Sequence, residues 1–462
     1  MASGQAGAMV VLNEEKTLKL KVPEKTSETV PRPLRVHNHL EGSSLICTKR
    51  GLSESVEELF LGAGRDPFGA TPLTFIVRSG SADPEFALFQ EAFEAFDAEA
   101  NQRIWIVKPA EYANRGCGIR IYKTLDEVTK RVDSKEKVWA IQKYIEKPLL
   151  VHGRKFDIRA YCLVLQEPGG GPIRALSYRD AYLRTTSAQY TTKTLDRMVH
   201  LNNDAVQKDG KDYGKFESAN KMSLEEFQRY LDEHHTRDAV NVRQRLMPQI
   251  KGLMADTIRA AVTKLNPRKL DHCFEVFGFD FMVDANFRVW LIECNANPCL
   301  DLCCAYLSHL IPTMLEQAFR LSLDRVFPNS AQKAEADYGG EAGTKWDPIF
   351  DQSKDDPETP SLSCSWIEEI PADWSKALLG RQILCSRPGK KTRKSKAAAP
   401  AAAPATDTKS QTPEIAEQED DEDEHPLGEI GSKALEKPDL EEPEQDRGSV
   451  LTSDEDAENP EQ

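Results

Sequence analysis

Long apolar runs are missing from this 462-residue chain. No stretch reaches the roughly eighteen apolar residues of a membrane-spanning helix, so no membrane partner is expected. A basic-then-apolar opening segment is also absent, and with it the pattern of a secretory leader. Ala2 stands where a myristoylated chain needs Gly, and Pro460-Glu461-Gln462 offers no prenylation motif. The ten cysteines include no C-x-x-C pair, and Cys299, Cys303 and Cys304 have no histidine cluster to match. Reduced, partly buried thiols are therefore expected rather than a zinc framework or a disulfide scaffold. The commonest phosphate-binding signatures are lacking too. No glycine loop continues into G-K-[ST], and the G-x-G at Gly116–Gly118 has no third glycine.

What the chain has in excess is acid, unevenly placed. Its net charge is −15, yet Glu414–Gln462 alone holds twenty acidic against three basic side chains, which leaves +2 for all the rest. A near-neutral body can still draw an anion into a cleft lined by Lys and Arg. The basic run at 389–396 (GKKTRKSK) reads as a solvated linker, so no nucleic-acid partner is expected.

Composition divides the chain into four parts. Residues 1–37 mix Lys, Glu, Thr and Pro without sustained periodicity and are expected to be loosely ordered. Residues 38–330 form the folded body, and 331–387, with Trp346, Trp366 and Trp374, an ordered strap or extension. Residues 388–462, basic, then Ala/Pro-rich, then acidic, cannot bury a core and are expected to be disordered. Inside the body, periodicity predicts helices over 52–61 (opening on a Ser cap), 84–96, 125–133, 223–234, 242–264 and 302–326. Strands are predicted over 72–78, 103–108, 119–122, 138–144, 155–165, 173–178, 274–284 and 287–294. This interleaving suggests an α+β or α/β protein with a mostly antiparallel sheet around a cleft.

Four stretches carry groups suited to chemistry. In FGFDFMVD (277–284) and FRVWLIECN (287–295), a two-residue loop at Ala285-Asn286 puts Asp280 opposite Leu291. Asp280, Glu293 and Asn295 then share a face, with the two carboxylates diagonal neighbours about 7–8 Å apart. Two carboxylates and an amide oxygen among apolar neighbours suit a hard cation such as Mg²⁺. A three-residue loop would turn one set to the other face. Strand alternation likewise puts Lys155, Asp157 and Arg159 on one face, either a surface charge ladder or the wall of a phosphate cleft. Lys108 ends a strand before Arg115-Gly116-Cys117-Gly118, a loop able to bring backbone N–H groups to phosphates or simply to turn the chain. Arg184, amid hydroxyl residues, is placed either to grip a carboxylate or to face solvent.

In order along the chain, WIVKP (105–109), RGCGI (115–119), QKYIEKPLLVHGRKFDIRAY (142–161), YRDAYLRTTSAQY (178–190), HLNNDAVQK (200–208) and FGFDFMVDANFRVWLIECNANP (277–298) resemble the tubulin–tyrosine ligase and ligase-like family. The resemblance runs from about Asn38 to Phe327 and implies an α+β ATP-grasp fold, with ATP between two β-rich lobes. It implies that Lys108, Arg115, Gly116, Gly118, Lys155 and Asp157 lie at the nucleotide, with Gln142, Lys143, Tyr144 and Ile145 as the hinge at the adenine. It further implies that Asp280, Glu293 and Asn295 hold Mg²⁺, and that Arg159, Arg184 and Asn203 hold the acceptor or the acyl phosphate. Arg159, Arg184 and Glu293 are then the catalytic group.

The reaction implied is ATP-dependent joining of an amino acid to a carboxylate through an acyl phosphate. LRTTSAQY and the stretch 206–231 look closer to tyrosine ligase proper. Tyrosination of the α-tubulin C-terminal tail is therefore the first expectation, in the cytoplasm at the cytoskeleton or a cilium. Glutamylation, glycylation and an inactive cytoskeletal adaptor are the alternatives. Few residues precede the first matching segment, so the family's N-terminal docking domain is expected to be short here.

Overall fold

The computed structural model describes residues 35–63, 65–96, 103–111, 116–135, 137–327 and 343–361, and the backbone of 9–12 and 17–21. Arg115, Trp366, Trp374, the basic run and the acidic tail lie outside the described residues.

Where it is described, the N-terminal segment holds strands rather than the loose order expected. Strands β1 (Met9–Leu12), β2 (Thr17–Lys21) and β3 (Arg35–His37) form an antiparallel sheet in that order. The signal was present in the apolar run MVVL and the alternating TLKLK. Two helices follow, α1 (Ser44–Cys47) and α2 (Lys49–Gly62). Helix α2 starts earlier than its pattern suggested because Thr48 caps it, its side chain accepting from Gly51 N at 3.0 Å; Ser53 is buried inside the helix.

The smaller lobe is a four-stranded antiparallel sheet of β4 (Thr74–Val77), β5 (Trp105–Pro109), β6 (Arg120–Tyr122) and β7 (Trp139–Lys143), ordered β4-β7-β5-β6. Helices α3 (Pro84–Ala95) and α4 (Leu125–Asp133) bury Phe86, Phe89, Phe93, Val128 and Val132 against Phe75, Trp105, Val107, Trp139 and Ile141. That side of β7 is core, so its other side, carrying Ala140 and Gln142, faces away from it.

The larger lobe is an eight-stranded sheet built on β9 (Arg154–Gln166). Strands β8 (Leu150–Val151) and β13 (Phe274–Val283) pair with one edge of β9. Strands β10 (Ile173–Tyr178) and β11 (Tyr182–Gln189) pair with the other. Strand β11, absent from the sequence-based strands, brings Arg184 opposite Asp157. Short helices α5 (Arg197–His200) and α6 (Asp204–Gln207) precede the edge strand β12 (Lys221–Ser223). Helix α7 (Leu224–His234) opens on a capping box, Ser223 with Glu226.

The helix expected over 242–264 is divided. A π-helical turn at Val242–Leu246 leads into α8 (Met247–Ala261), with Pro248 in its first turn. Proline has no N–H to donate to the preceding turn and its ring crowds the carbonyl there, which favours a change of helix type at this point.

The even-numbered side of β9, from Phe156 to Val164, packs with α2 and α8 in the largest core cluster. The odd-numbered side changes character along its length. Leu163 and Leu165 are covered by α9 (Ala305–Ser322), while Lys155 and Asp157 line a cleft. Strand β15 (Trp346–Asp351) adds to β10, and Trp346 is fully buried.

Candidate active site

The hairpin of β13 with β14 (Val289–Asn295) is the centre of the site, and its register differs from the sequence reading. The loop holds three residues, because Asp284 pairs with Arg288 and Phe287 takes a left-handed φ of 62°. The Asp284 carboxylate favours this turn, accepting from Asn286 N at 2.8 Å, Arg288 N at 3.1 Å and Trp290 Nε1 at 3.0 Å. Alone, that loop would have turned Glu293 away from Asp280. A β-bulge restores the face. Phe281 pairs with Leu291 and Asp280 with Glu293, leaving Ile292 as the extra residue. Asp280 and Glu293 are thus directly opposite rather than diagonal. Asn295 Nδ2 lies 3.3 Å from Glu293 Oε1 and 3.4 Å from Asp280 Oδ2.

The neighbouring strands add a compact set of charges. Arg184 donates to both oxygens of Asp157, at 2.7 and 2.8 Å, and reaches Asp280 at 2.8 Å. Arg159 grips Asp280 through two further bonds. Both arginines are therefore engaged with the chain's own carboxylates, although Arg159 Nη1 has no acceptor among the described residues. Burial works against charge on Asp280, yet Arg159 and Arg184 hold it well below the usual carboxylate range. Asp157, with burial dominant and Asp280 nearby, is raised from its ordinary value despite Arg184.

Two buried lysines complete this wall. Lys108 Nζ donates to Gln142 Oε1 at 2.8 Å, and Lys155 Nζ to the His200 carbonyl at 2.6 Å. Burial lowers Lys108 to about 8, with Lys49 adding to the effect and Glu293 opposing it. Burial lowers Lys155 to about 7, aided by Lys108 and opposed by Asp157. Cations buried this close together are short of negative charge, which an anionic ligand would supply.

Between the lobes lies an open cleft of about 640 Å³. Of the sequence candidates, Lys108, Gln142, Tyr144, Ile145, Lys155, Asp157, Arg184, Asn203, Asp280 and Glu293 line it. Arg159 and Asn295 stand behind that wall. Lys143 contributes to the lining, but its ammonium does not point there. It is fully buried on the core side, bonded to Glu146 and to the Ile104 and Tyr144 carbonyls, 5.0 Å from the Phe96 ring centre. Adjacent strand residues face opposite sides, so Gln142 and Lys143 cannot both present side chains to one ligand.

Gly116 and Gly118 are also outside the wall, which Ile119 supplies instead. Both take positive φ, and their carbonyls accept from Arg197 and Arg131.

Three contributors were missed from sequence. Asn202 joins β9 to β11 by donating to the Lys155 and Arg184 carbonyls. His200 links the hinge to this wall. The Thr194 carbonyl can only accept, so His200 Nε2 carries the proton and Nδ1 accepts from the Tyr144 hydroxyl at 2.8 Å. Lys49, at the start of α2, lies 3.6 Å from Glu293.

The described residues contain no cluster of three or more His, Cys, Asp or Glu placed for a metal. A hard cation fits only as a guest of few protein oxygens: Glu293, Asn295 with its amide turned, and Asp280 once an arginine yields. The remaining sites would go to phosphate and water, the pattern Mg²⁺ favours.

Two antiparallel sheets facing each other across such a cleft form an ATP-grasp arrangement, as the resemblance implied. The chain is 32% identical over 240 residues to tubulin glycylase 3B of Tetrahymena thermophila, covering 52% of this chain and 20% of that protein. It is 35% identical over 231 residues to tubulin monoglycylase TTLL3 of Danio rerio, covering 48% and 29%. It is 32% identical over 246 residues to tubulin monoglycylase TTLL3 of Homo sapiens, covering 51% and 31%. The matched part thus spans less than a third of each relative. The model of the tubulin-tyrosine ligase family matches residues 27–334, and the chain belongs to that family.

Proposed function

We propose that this chain is an ATP-dependent carboxylate–amine ligase that adds glycine to a glutamate carboxylate of a tubulin tail. The observation that carries the reading is the convergence of Lys108, Lys155, Asp157, Arg184, Asp280 and Glu293 on one cleft between two sheets. Those are the parts needed to bring two mutually repelling anions, a carboxylate and a triphosphate, into line. The glycylase names of the relatives favour glycine over the tyrosine first expected from the sequence.

In the first step the acceptor carboxylate attacks the γ-phosphorus, and the bond to ADP breaks to leave an acyl phosphate. In the second the glycine amine attacks the acyl carbon and phosphate departs, the amine proton passing to solvent. The phosphates stabilise the charged forms of Lys108 and Lys155, which burial disfavours. Arg184 can pass from Asp157 to the acceptor carboxylate with its bidentate geometry unchanged. Asp280, Glu293 and Asn295 would hold Mg²⁺, which when bound neutralises phosphate oxygens. No protein nucleophile is required, in keeping with buried cysteines such as Cys162, whose thiol burial pushes far up.

The test is incubation with ATP, Mg²⁺, tubulin and labelled glycine, glutamate or tyrosine in parallel. ATP-dependent incorporation of glycine is expected. Tyrosine or glutamate alone would replace glycine in this reading, and no incorporation with any of them would leave the inactive adaptor.

A further inference from the structure

Cys294 sits between Glu293 and Asn295 on β14. Strand alternation turns its side chain away from theirs and into the largest core cluster, where it is buried. There its sulfur lies 3.8 Å from that of Cys47, the last residue of α1. Both thiols are free, and Cys47 is only partly buried. It lines a second cavity of about 840 Å³, together with Thr48, Asn295 and Asn297. One thiol of the pair is thus open to a small oxidant, while the other is shielded behind it.

We propose that Cys47 and Cys294 form a thiol–disulfide switch built under the active site. It rests on the ligase reading above for the activity that it turns off. Hydrogen peroxide oxidises the Cys47 thiol to a sulfenic acid and releases one water. The Cys294 sulfur then attacks the Cys47 sulfur, and the thiol proton leaves with the sulfenic hydroxyl as a second water. The two thiols give up two electrons in all, and the peroxide takes them.

Sulfurs in a disulfide are about 2.05 Å apart, so this pair must close by roughly 1.8 Å. The corner between α1 and α2 is braced against bending. Thr48 Oγ1 donates to the Ser44 carbonyl at 2.9 Å and accepts from Gly51 N at 3.0 Å. Ser55 Oγ donates to the Leu45 carbonyl at 2.9 Å. Closure therefore draws this corner and β14 together, and part of the shift falls on Glu293 and Asn295. A displacement of about 1 Å in such a site can cost on the order of 100-fold in rate.

The test treats the full chain with hydrogen peroxide, blocks the remaining thiols, and seeks a Cys47–Cys294 link by peptide mass spectrometry. Ligation is read in parallel as ATP-dependent incorporation of labelled glycine, glutamate or tyrosine into tubulin. The parent should form the link, lose about tenfold or more of its rate, and regain it with dithiothreitol. Cys47→Ser should match the reduced parent in rate and melting temperature and keep that rate through the peroxide treatment. Cys47→Ala replaces it should the serine variant melt early. Cys117→Ser combined with Cys299→Ser, which removes two exposed thiols, should leave the sensitivity unchanged.

Absence of the Cys47–Cys294 link overturns the proposal. So does a linked protein that ligates at the full rate, or a Cys47→Ser variant inactivated as readily as the parent. A reduced parent that ligates no amino acid refutes the ligase reading itself, and the switch falls with it.

Discussion

Replacing Arg184 by Met tests the charge network on which the cleft is built. Arg184 is 8% exposed and supplies two hydrogen bonds to Asp157 and one contact to Asp280. Asp280 keeps Arg159, but Asp157 loses its bidentate partner in a buried position. Breaking a buried ion pair from one side typically costs about 3–5 kcal/mol, most of it the penalty of the stranded charge. The loss should depend on pH in a defined sense. The folded protein already holds Asp157 above its ordinary pKa through burial, and Arg184 opposes that shift. Stability linked to Asp157 is fully present below the ordinary carboxylate pKa, about 3.9, and is lost as pH rises through the folded value. Without Arg184 that loss grows, so the variant should be far weaker at neutral pH than near pH 4. Asp157→Asn combined with Arg184→Met removes the stranded charge and should recover most of the stability. Urea unfolding of the three variants at several pH values measures this. A single-variant loss under about 1 kcal/mol, or no rescue in the double variant, would refute the reasoning.

Three other outcomes are expected. Glu293→Gln should abolish ligation while leaving the melting temperature within a few degrees of the parent, and comparable activity would remove Glu293 from the metal site. Lys155 and Lys108, lowered to about 7 and about 8, should have their pKa values raised by bound phosphates. ADP affinity should then fall as pH rises from 7 to 9, with proton uptake visible as a buffer-dependent heat; a pH-independent affinity contradicts this. Trp346→Ala, emptying a fully buried site between β15 and β10, should cost about 3–5 kcal/mol in unfolding experiments; a loss under about 1 kcal/mol would show β15 to be dispensable.

Much of the site was legible in sequence because it lies on strands whose alternation sorts side chains by face. Asp280 and Glu293 were assigned a common face, but through two omissions that cancel. The loop has one more residue than assumed, since Asp284 holds Phe287 in a left-handed conformation. The bulge at Ile292 then supplies the opposite shift. Neither is readable from apolar alternation. The pairing of Arg184 with Asp157 is a contact between separate strands, and no local pattern carries it. Lys143 contributes to the cleft lining while its ammonium turns to the core, as one face per strand position requires. Lys49 did leave a trace, a cation in a first helical turn just after its capping Thr48, but the predicted helix began too late to show it.

The central claim is that this cleft activates a carboxylate by phosphorylation, and oxygen transfer tests it most directly. A glutamate-containing tubulin-tail peptide labelled with ¹⁸O in its carboxylates is incubated with the full chain, ATP, Mg²⁺ and glycine, and the released phosphate is analysed by mass spectrometry. An acyl phosphate requires one peptide oxygen to leave in each phosphate formed with ligation. Ligation that releases only unlabelled phosphate would contradict the account.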